Sequence, residues 1–158
     1  MNNKIKVLVV DDAIFMRKTI CDILEGNKNF EISGVAKNGE EAVKMNSELK
    51  PDVITLDIDM PVMDGIRALK HIMIQRPVPV VVVSSLSYES NVTFEAFRLG
   101  VVDFVPKPAG AISAEFEKQK EYLCSIVERA SKVDITRLQR AKISKILEKE
   151  HSKLLPTK

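Results

Sequence analysis

Cysteine is scarce in this sequence of 158 residues, with Cys21 and Cys124 as its only two. They are far apart, form no C-x-x-C pair and have no histidine at metal-ligand spacing, which argues against a zinc site or a disulfide framework. Each lies among helix-forming residues, so two buried, reduced thiols are the simpler interpretation. The sequence therefore predicts a disulfide-free protein of the cytoplasm.

Long hydrophobic runs are also missing. The amino-terminal run "IKVLVV" ends at two aspartates and is too short for a signal peptide or a membrane span. We therefore expect no membrane span. At 45% hydrophobic residues, the chain still has enough apolar side chains for one ordinary domain with one core.

The net charge is low, because 24 Lys and Arg side chains face 22 Asp and Glu side chains, a formal charge of +2. Over the whole chain this favours neither nucleic-acid binding nor disorder. The charge is unevenly placed, since the segment from Ser131 onward holds eight basic and three acidic side chains. An acidic body is thus followed by a basic tail, and we expect the two to have different functions.

Short apolar, β-branched runs alternate with longer segments in which apolar residues recur at helical spacing. The runs cover residues 5–10, 30–36, 52–57, 78–83 and 101–105. Asn38 and Asp64 are typical of helix starts, and Gly100 is typical of a helix end. This alternation predicts an α/β protein with a doubly wound, parallel five-stranded sheet of (βα)5 type, flavodoxin-like in order, and an extra C-terminal helical tail.

Polar side chains follow four of the five runs, at the points where the strands would end. They are Asp11, Asp12, Asp57, Ser84, Ser85 and Lys107. The carboxyl ends of parallel strands share one edge of the sheet, where ligands bind in this class of fold. We therefore expect these side chains to converge in one crevice.

Carboxylates brought together in a crevice repel one another unless a cation lies between them. Oxygen ligands without histidine or cysteine suit a hard ion, and few protein ligands suit Mg²⁺ better than Ca²⁺. A cation beside Lys107 and a serine hydroxyl makes a site for a phosphoryl group, and Asp57 can be the nucleophile that forms an aspartyl phosphate. Pro61 would turn the chain away after Asp59 and expose the Asp59 carbonyl as a further ligand.

Four segments in this order resemble the receiver domain of two-component response regulators: "VLVVDDAIFMRK", "DVITLDIDMPVMDGIRAL", "PVVVVSSLS" and "GVVDFVPKPAG". The resemblance covers residues 4–130 and leaves residues 131–158 as a basic helical linker or tail. Within that family, "VVVVSSLS", "VVDFVPKPAG" and the "ALKHIM" helix are similar to the regulatory domain of the chemotaxis protein-glutamate methylesterase.

The resemblance implies that Asp57 is the phosphoacceptor, which takes a phosphoryl group from a phosphohistidine of a sensor histidine kinase. Asp57 and Asp12 would bind Mg²⁺ directly, Asp11 would act largely through water, and Asp59 would act through its backbone carbonyl. Lys107 would hold the phosphoryl oxygens.

The resemblance also implies a conformational switch. Ser84 matches the hydroxyl that moves to the phosphoryl group, and Phe104 matches the aromatic side chain that follows it. Pro108 would make the peptide bond after Lys107 cis. The switch would remodel the face formed by the fourth helix, fifth strand and fifth helix, and the expected partner is a methylesterase output domain, its own or a separate one.

Simpler structural roles stay open for several of these residues. Asp11 or Asp12 alone is also typical of a turn or a helix cap. Phe104 alone is typical of a core aromatic residue.

A different function also stays open at this point. The D-x-D pattern of Asp57 and Asp59 at the end of an apolar strand is shared by aspartate-nucleophile phosphatases of the haloacid dehalogenase type. Pro61 stands where that class usually has Thr or Ser, and the acidic pair comes first in the chain rather than last.

The sequence has no G-x-S-x-G motif and too few residues after position 130 for a methylesterase catalytic domain. An excised regulatory fragment and a stand-alone single-domain response regulator both stay open. The segment that begins at the helix-capping Asp134 is interpreted first as an interdomain linker helix, and second as a basic helix for a membrane surface or a partner. One helix cannot make a helix-turn-helix, so we expect no nucleic-acid partner.

Overall fold

The computed structural model describes residues 3–85, 91–108 and 115–137, in which five strands alternate with five helices. The strands are β1 (Ile5–Val10), β2 (Phe30–Ala36), β3 (Val53–Leu56), β4 (Val80–Ser84) and β5 (Asp103–Pro106). The helices are α1 (Ile14–Glu25), α2 (Gly39–Leu49), α3 (Gly65–Gln75), α4 (Asn91–Leu99) and α5 (Phe116–Ser131). The strands pair in parallel in the order β2-β1-β3-β4-β5. The predicted doubly wound, flavodoxin-like sheet is thus confirmed.

Helices cover both faces of the sheet, which is why its central strands are mostly apolar. Every residue of β3 and β4 is buried. Successive strand residues point to opposite faces, so the apolar side chains of the described residues separate into two clusters. The α2–α4 cluster includes Leu8, Leu56 and Phe104, and the α1–α5 cluster includes Val9 and Leu123.

Two predicted helix starts are capped as the sequence indicated. Asn38 Oδ1 accepts a hydrogen bond from the N–H of Glu41 at 2.9 Å, at the start of α2. Asp64 Oδ1 accepts one from the N–H of Arg67 at 2.9 Å, at the start of α3. Each cap satisfies a backbone donor that has no partner within its helix.

The predicted helix end at Gly100 has the geometry of a Schellman motif. The N–H of Gly100 donates to the carbonyl of Phe97, and the N–H of Val101 donates to the carbonyl of Ala96. Gly100 has a φ of 115°, a backbone conformation that is strained for any residue with a Cβ.

A tight turn shapes the loop between β3 and α3. The N–H of Met63 donates to the carbonyl of Pro61 at 2.8 Å, and Val62 between them has a φ of 68°. An i to i+2 hydrogen bond around a positive φ is the pattern of the strained γ-turn. The N–H of Gly39 donates to the carbonyl of Met63 at 3.0 Å, so α2 holds this turn in place.

The same loop closes tightly at Gly65. Its N–H donates to the carbonyl of Ile58 at 2.7 Å. A Cβ at this position would overlap the carbonyl oxygen of Asp57 and would lie 2.6 Å from the Cα of Ile58. Only glycine therefore allows α3 to start this close to the end of β3.

Beyond α5, the chain returns to the core of the domain. Asp134 Oδ1 accepts a hydrogen bond from the N–H of Arg137 at 3.1 Å, which is the predicted cap. Ile135 is only 6% exposed and belongs to the α2–α4 cluster. The predicted helical tail falls mostly on residues 138–158, outside the described residues. Among the described helices, none combines the length and hydropathy needed to cross a membrane.

Both cysteines are free and half-buried. Burial raises the pKa of Cys21 to about 11, and the neighbouring carboxylates of Glu25 and Asp22 add to the rise. Burial likewise raises the pKa of Cys124. Thiols with raised pKa values stay protonated at neutral pH and are weak nucleophiles. The two thiols are free, as expected, but less buried than expected.

Candidate functional site

The pairing of β1 with β3 brings three aspartates together. Val10 pairs with Leu56, and the N–H of Asp57 donates to the carbonyl of Val10 at 3.0 Å. One carboxylate oxygen from each of Asp11, Asp12 and Asp57 lies within 4.8 Å of the others. Asp11 and Asp57 are buried and Asp12 is exposed, so the pocket has two carboxylates at its base and one at its rim.

Lys107 reaches the same pocket from just beyond β5. Its backbone N–H donates to the carbonyl of Ser84 at 3.1 Å, which fixes it beside the end of β4. Its Nζ lies 3.1 Å from Asp57 Oδ2 and 3.2 Å from Asp11 Oδ2. The structure thus brings residues from three separate strand ends into direct contact.

The electrostatics of the pocket follow from burial and from crowding of like charges. Burial is the main reason that the pKa of Asp57 rises to about 6, and the charge of Asp11 adds to the rise. Lys107 and a backbone hydrogen bond from Asp59 act in the opposite direction. Burial lowers the pKa of Lys107, but the hydrogen bond to Asp57 and the charges of Asp57 and Asp11 outweigh it, so this pKa is raised. At neutral pH, Asp57 is therefore mostly ionised and Lys107 is cationic.

One buried carboxylate oxygen in the pocket lacks a hydrogen bond. Asp11 Oδ1 accepts from the N–H of Ala13 at 2.9 Å, but Asp11 Oδ2 has no hydrogen-bond donor among the described residues. It has only the nearby charge of Lys107. Buried carboxylates that are incompletely hydrogen-bonded are costly; here Asp11 and Asp57 share the Lys107 ammonium, and Asp12 adds a third carboxylate to the group. The donor set, all oxygen and negatively charged, therefore fits a hard cation.

The remaining predicted site residues lie around this pocket. The side chain of Asp59 is exposed and lies outside the three-carboxylate group, and its backbone N–H donates a hydrogen bond to the Asp57 carboxylate. Ser84, the last residue of β4, is buried. Phe104 is buried on β5 within the α2–α4 cluster, a place that suits either a switch residue or a core aromatic. Ser85 is exposed.

Arg17, which the sequence did not single out as a site residue, contacts the loop after β1. Its Nη1 donates to the carbonyl of Asp11 at 2.8 Å and to the carbonyl of Asp12 at 3.2 Å. The available signal was a basic residue about one turn into the helix that follows the acidic pair. A side chain that binds backbone carbonyls needs no particular residue type at a fixed spacing, so it produces no motif in the sequence.

The prediction of a cis peptide bond before Pro108 is wrong. No peptide bond among the described residues is cis, so the bond between Lys107 and Pro108 is trans. The trans isomer is the lower in free energy even before proline, by about 0.5–1 kcal/mol.

The comparison with protein families finds one matching domain. The model of the response regulator receiver domain matches residues 7–114. A protein-glutamate methylesterase/protein-glutamine glutaminase of Caldanaerobacter subterraneus subsp. tengcongensis is 52% identical over 132 residues, which is 83% of this chain and 36% of the relative. A protein of the same description from Pyrococcus horikoshii is 39% identical over 158 residues, covering 99% of this chain and 43% of the relative. The chain thus spans well under half the length of these relatives.

Solved structures agree with the family match. The response regulator domain of Thermotoga maritima CheB is 47% identical, with a TM-score of 0.77, and the match covers 84% of this chain and 99% of that chain. A chain of the CheX-CheY-BeF3-Mg+2 complex from Borrelia burgdorferi is 31% identical, with a TM-score of 0.62 and coverages of 75% and 87%. On the matched residues, the sheet order and the acidic pocket, this chain belongs to the response regulator receiver domain family.

Proposed function

We propose that this chain is a phosphoacceptor domain in which Asp57 receives a phosphoryl group from a phosphohistidine of a sensor histidine kinase. The observation that carries the proposal is the pocket itself. A buried carboxylate lies 3.1 Å from the ammonium of Lys107 and within reach of two further carboxylates. An ion pair that only stabilises a fold does not require more negative than positive charges in one pocket, whereas the described residues of this pocket include three carboxylates and one ammonium.

The transfer is a displacement at phosphorus. An oxygen of the ionised Asp57 carboxylate attacks, the bond between phosphorus and the histidine nitrogen breaks, and an aspartyl phosphate forms while the histidine keeps the electron pair. A pKa of about 6 leaves Asp57 ionised, and so nucleophilic, at neutral pH. Lys107 then exchanges its contact with Asp57 Oδ2 for the phosphoryl oxygens.

We assign Mg²⁺ as the cation of this pocket. The carboxylates of Asp57 and Asp12 would bind it directly, Asp11 largely through water, and Asp59 through its backbone carbonyl. The three grouped carboxylates support this assignment, because Lys107 is the only ammonium shown in contact with Asp11 and Asp57 among the described residues, and a similar chain is known from a complex described with BeF3 and Mg+2. When bound, Mg²⁺ neutralises charge on the transferring phosphoryl oxygens.

The proposed output is a conformational switch through Ser84 and Phe104 to the face formed by α4, β5 and α5. A groove of 280 Å³ beside β5 and α5, the two elements of this face that line it, has mainly apolar walls that include Pro106, Leu123 and the half-exposed Tyr122. An apolar groove of this kind suits a protein surface that covers it in one state and leaves it in the other.

We propose a protein-glutamate methylesterase domain as the partner on that face, in the cytoplasm, with residues 131–158 as the basic linker towards it. The relatives with this description are about twice the length of this chain or longer. The division at residue 130 follows from the sequence resemblance and stays a prediction.

The proposal is tested by intact mass spectrometry after incubation with acetyl phosphate. We expect one phosphoryl adduct that requires Mg²⁺ and is absent in Asp57→Asn, because the amide is not a nucleophile. Asp22→Asn, which removes an exposed aspartate on α1, is the matched control and should label like the original protein. No adduct on folded protein under any condition would contradict the proposal, and repeated hydrolysis of a phosphomonoester would favour a phosphatase instead.

A further inference from the structure

Arg17 contacts the loop that carries Asp11 and Asp12, two of the three aspartates of the pocket. The loop contains only the three residues 11–13 between the end of β1 and the start of α1. Helical side chains point back towards the N-terminus of their helix, so Arg17 returns to this loop. There its Nη1 contacts the carbonyls of Asp11 and Asp12, at 2.8 Å and 3.2 Å.

The start of α1 has little else of its own to fix it. Its N-cap residue, Ala13, makes no side-chain capping bond, and its first turn has no acidic residue. Asp11 Oδ1 accepts from the N–H of Ala13, and the N–H of Asp11 donates to the carbonyl of Ala36 at 3.1 Å. These bonds hold Asp11, whereas the peptide of Asp12 is held by Arg17 at its carbonyl.

Arg17 binds the backbone of this loop rather than its carboxylates. Among the ion pairs of the described residues, none joins Arg17 to Asp11 or Asp12. The guanidinium therefore contacts the two carbonyls and leaves the carboxylates to the pocket, where that of Asp11 contacts Lys107. The two carbonyls accept hydrogen bonds from Arg17 on α1, so they are not available to a cation.

We propose that Arg17 is a positioning residue of the cation site, which sets the orientation of the Asp11 and Asp12 carboxylates by holding their carbonyls. The inference rests on the proposed cation site and adds a residue to it. Groups that orient metal ligands commonly change metal affinity by about 10–100-fold when they are removed.

The sign of the effect separates this role from a simple charge effect. A positive charge near a cation site repels the cation, so removal of the Arg17 charge by itself would strengthen cation binding. Loss of the two carbonyl contacts would let the loop and its carboxylates move, and would weaken cation binding. The proposal requires the second effect to dominate.

The experiment is a titration of the full chain with Mn²⁺, in which electron paramagnetic resonance measures the concentration of the free ion. This readout measures cation binding directly and does not require phosphorylation. We expect Arg17→Met to bind Mn²⁺ about tenfold more weakly. Arg17→Gln, which is neutral but keeps a donor for one carbonyl, should recover part of the affinity. Lys18→Met removes the neighbouring exposed charge on α1 and should bind no more weakly than the original protein. Circular dichroism melting checks that each variant is folded.

A second readout concerns acetyl phosphate labelling. Arg17→Met should need about tenfold more Mg²⁺ for half-maximal labelling but reach a similar rate at saturation, since Asp57 and Lys107 are untouched. Equal or tighter Mn²⁺ binding by folded Arg17→Met would overturn the positioning role and leave the phosphoacceptor assignment intact. Failure of the original protein to bind Mn²⁺ would overturn both.

Discussion

At the scale of single residues, Asp57 has a raised pKa that links protonation to stability. The ordinary pKa of an aspartate side chain is 3.8, and that of Asp57 in the folded protein is about 6. Between these values the folded state binds the proton more tightly than the unfolded state does. The contribution of Asp57 protonation to the unfolding free energy is therefore fully present below about pH 4 and is lost as the pH rises through 6.

We accordingly expect Asp57→Asn to be more stable than the original protein at pH 7 when divalent cations are removed, because the buried charge is gone. The difference in unfolding free energy should shrink as the pH falls from about 6 to about 4. Urea denaturation in the presence of a chelator, at a series of pH values, measures this. Equal stability of Asp57→Asn and the original protein at pH 7 would contradict the expectation.

The sequence was informative about the residues that share one sheet edge. Asp11, Asp57 and Lys107 each follow an apolar run, and parallel strands place such residues together without further information. It was not informative about Arg17, since binding of a backbone carbonyl by a side chain depends on the exact path of a loop. The isomer of the bond before Pro108 likewise depends on small differences in free energy.

At the scale of elements, two glycines end or begin helices for different reasons, and their substitutions should differ. Gly100→Ala places a Cβ on a residue with a φ of 115°, which should cost about 1–2 kcal/mol of stability. Gly65→Ala places a Cβ against the backbone of Asp57 and Ile58, so the loop that carries Asp57 must move.

We therefore expect Gly100→Ala to lower the unfolding free energy but to label normally with acetyl phosphate at a temperature where it is folded. Gly65→Ala should lose labelling out of proportion to its loss of stability. Thermal melts and labelling rates on the two variants test this together. Parallel losses in both measurements for both variants would show that Gly65 has only a structural role.

The bounds of the elements were predictable where backbone chemistry and side-chain pattern agree. The predicted run 5–10 is β1 as observed. The predicted run 78–83 differs, since β4 begins at Val80 and extends to Ser84. Pro79 lacks the N–H that a central strand needs, and Ser84 is polar but remains in the pairing. The positive φ of Val62 was not predictable, because β-branched residues rarely adopt it.

At the scale of the whole molecule, the core extends past the end of α5. Ile135 is 6% exposed and packs with the cluster that also contains Phe104. Ile135→Ala should lower the unfolding free energy by about 2–5 kcal/mol, the usual cost for a buried isoleucine. Thr136→Ala, at the exposed position next to it, should change the free energy by about 0.5 kcal/mol or less. Urea denaturation compares the two, and equal small effects would mean that Ile135 is not part of the folded core in solution.

The pairing of β1 with β3 has one further consequence. Asp11 and Asp57 come from distant parts of the chain and meet only when these two strands are in register, so an unfolded chain has no equivalent binding site. A cation that binds there stabilises the folded state by mass action, by about 2.7 kcal/mol at a hundred times its dissociation constant. The population of folded molecules and the free concentration of that ion are then coupled through a single thermodynamic cycle.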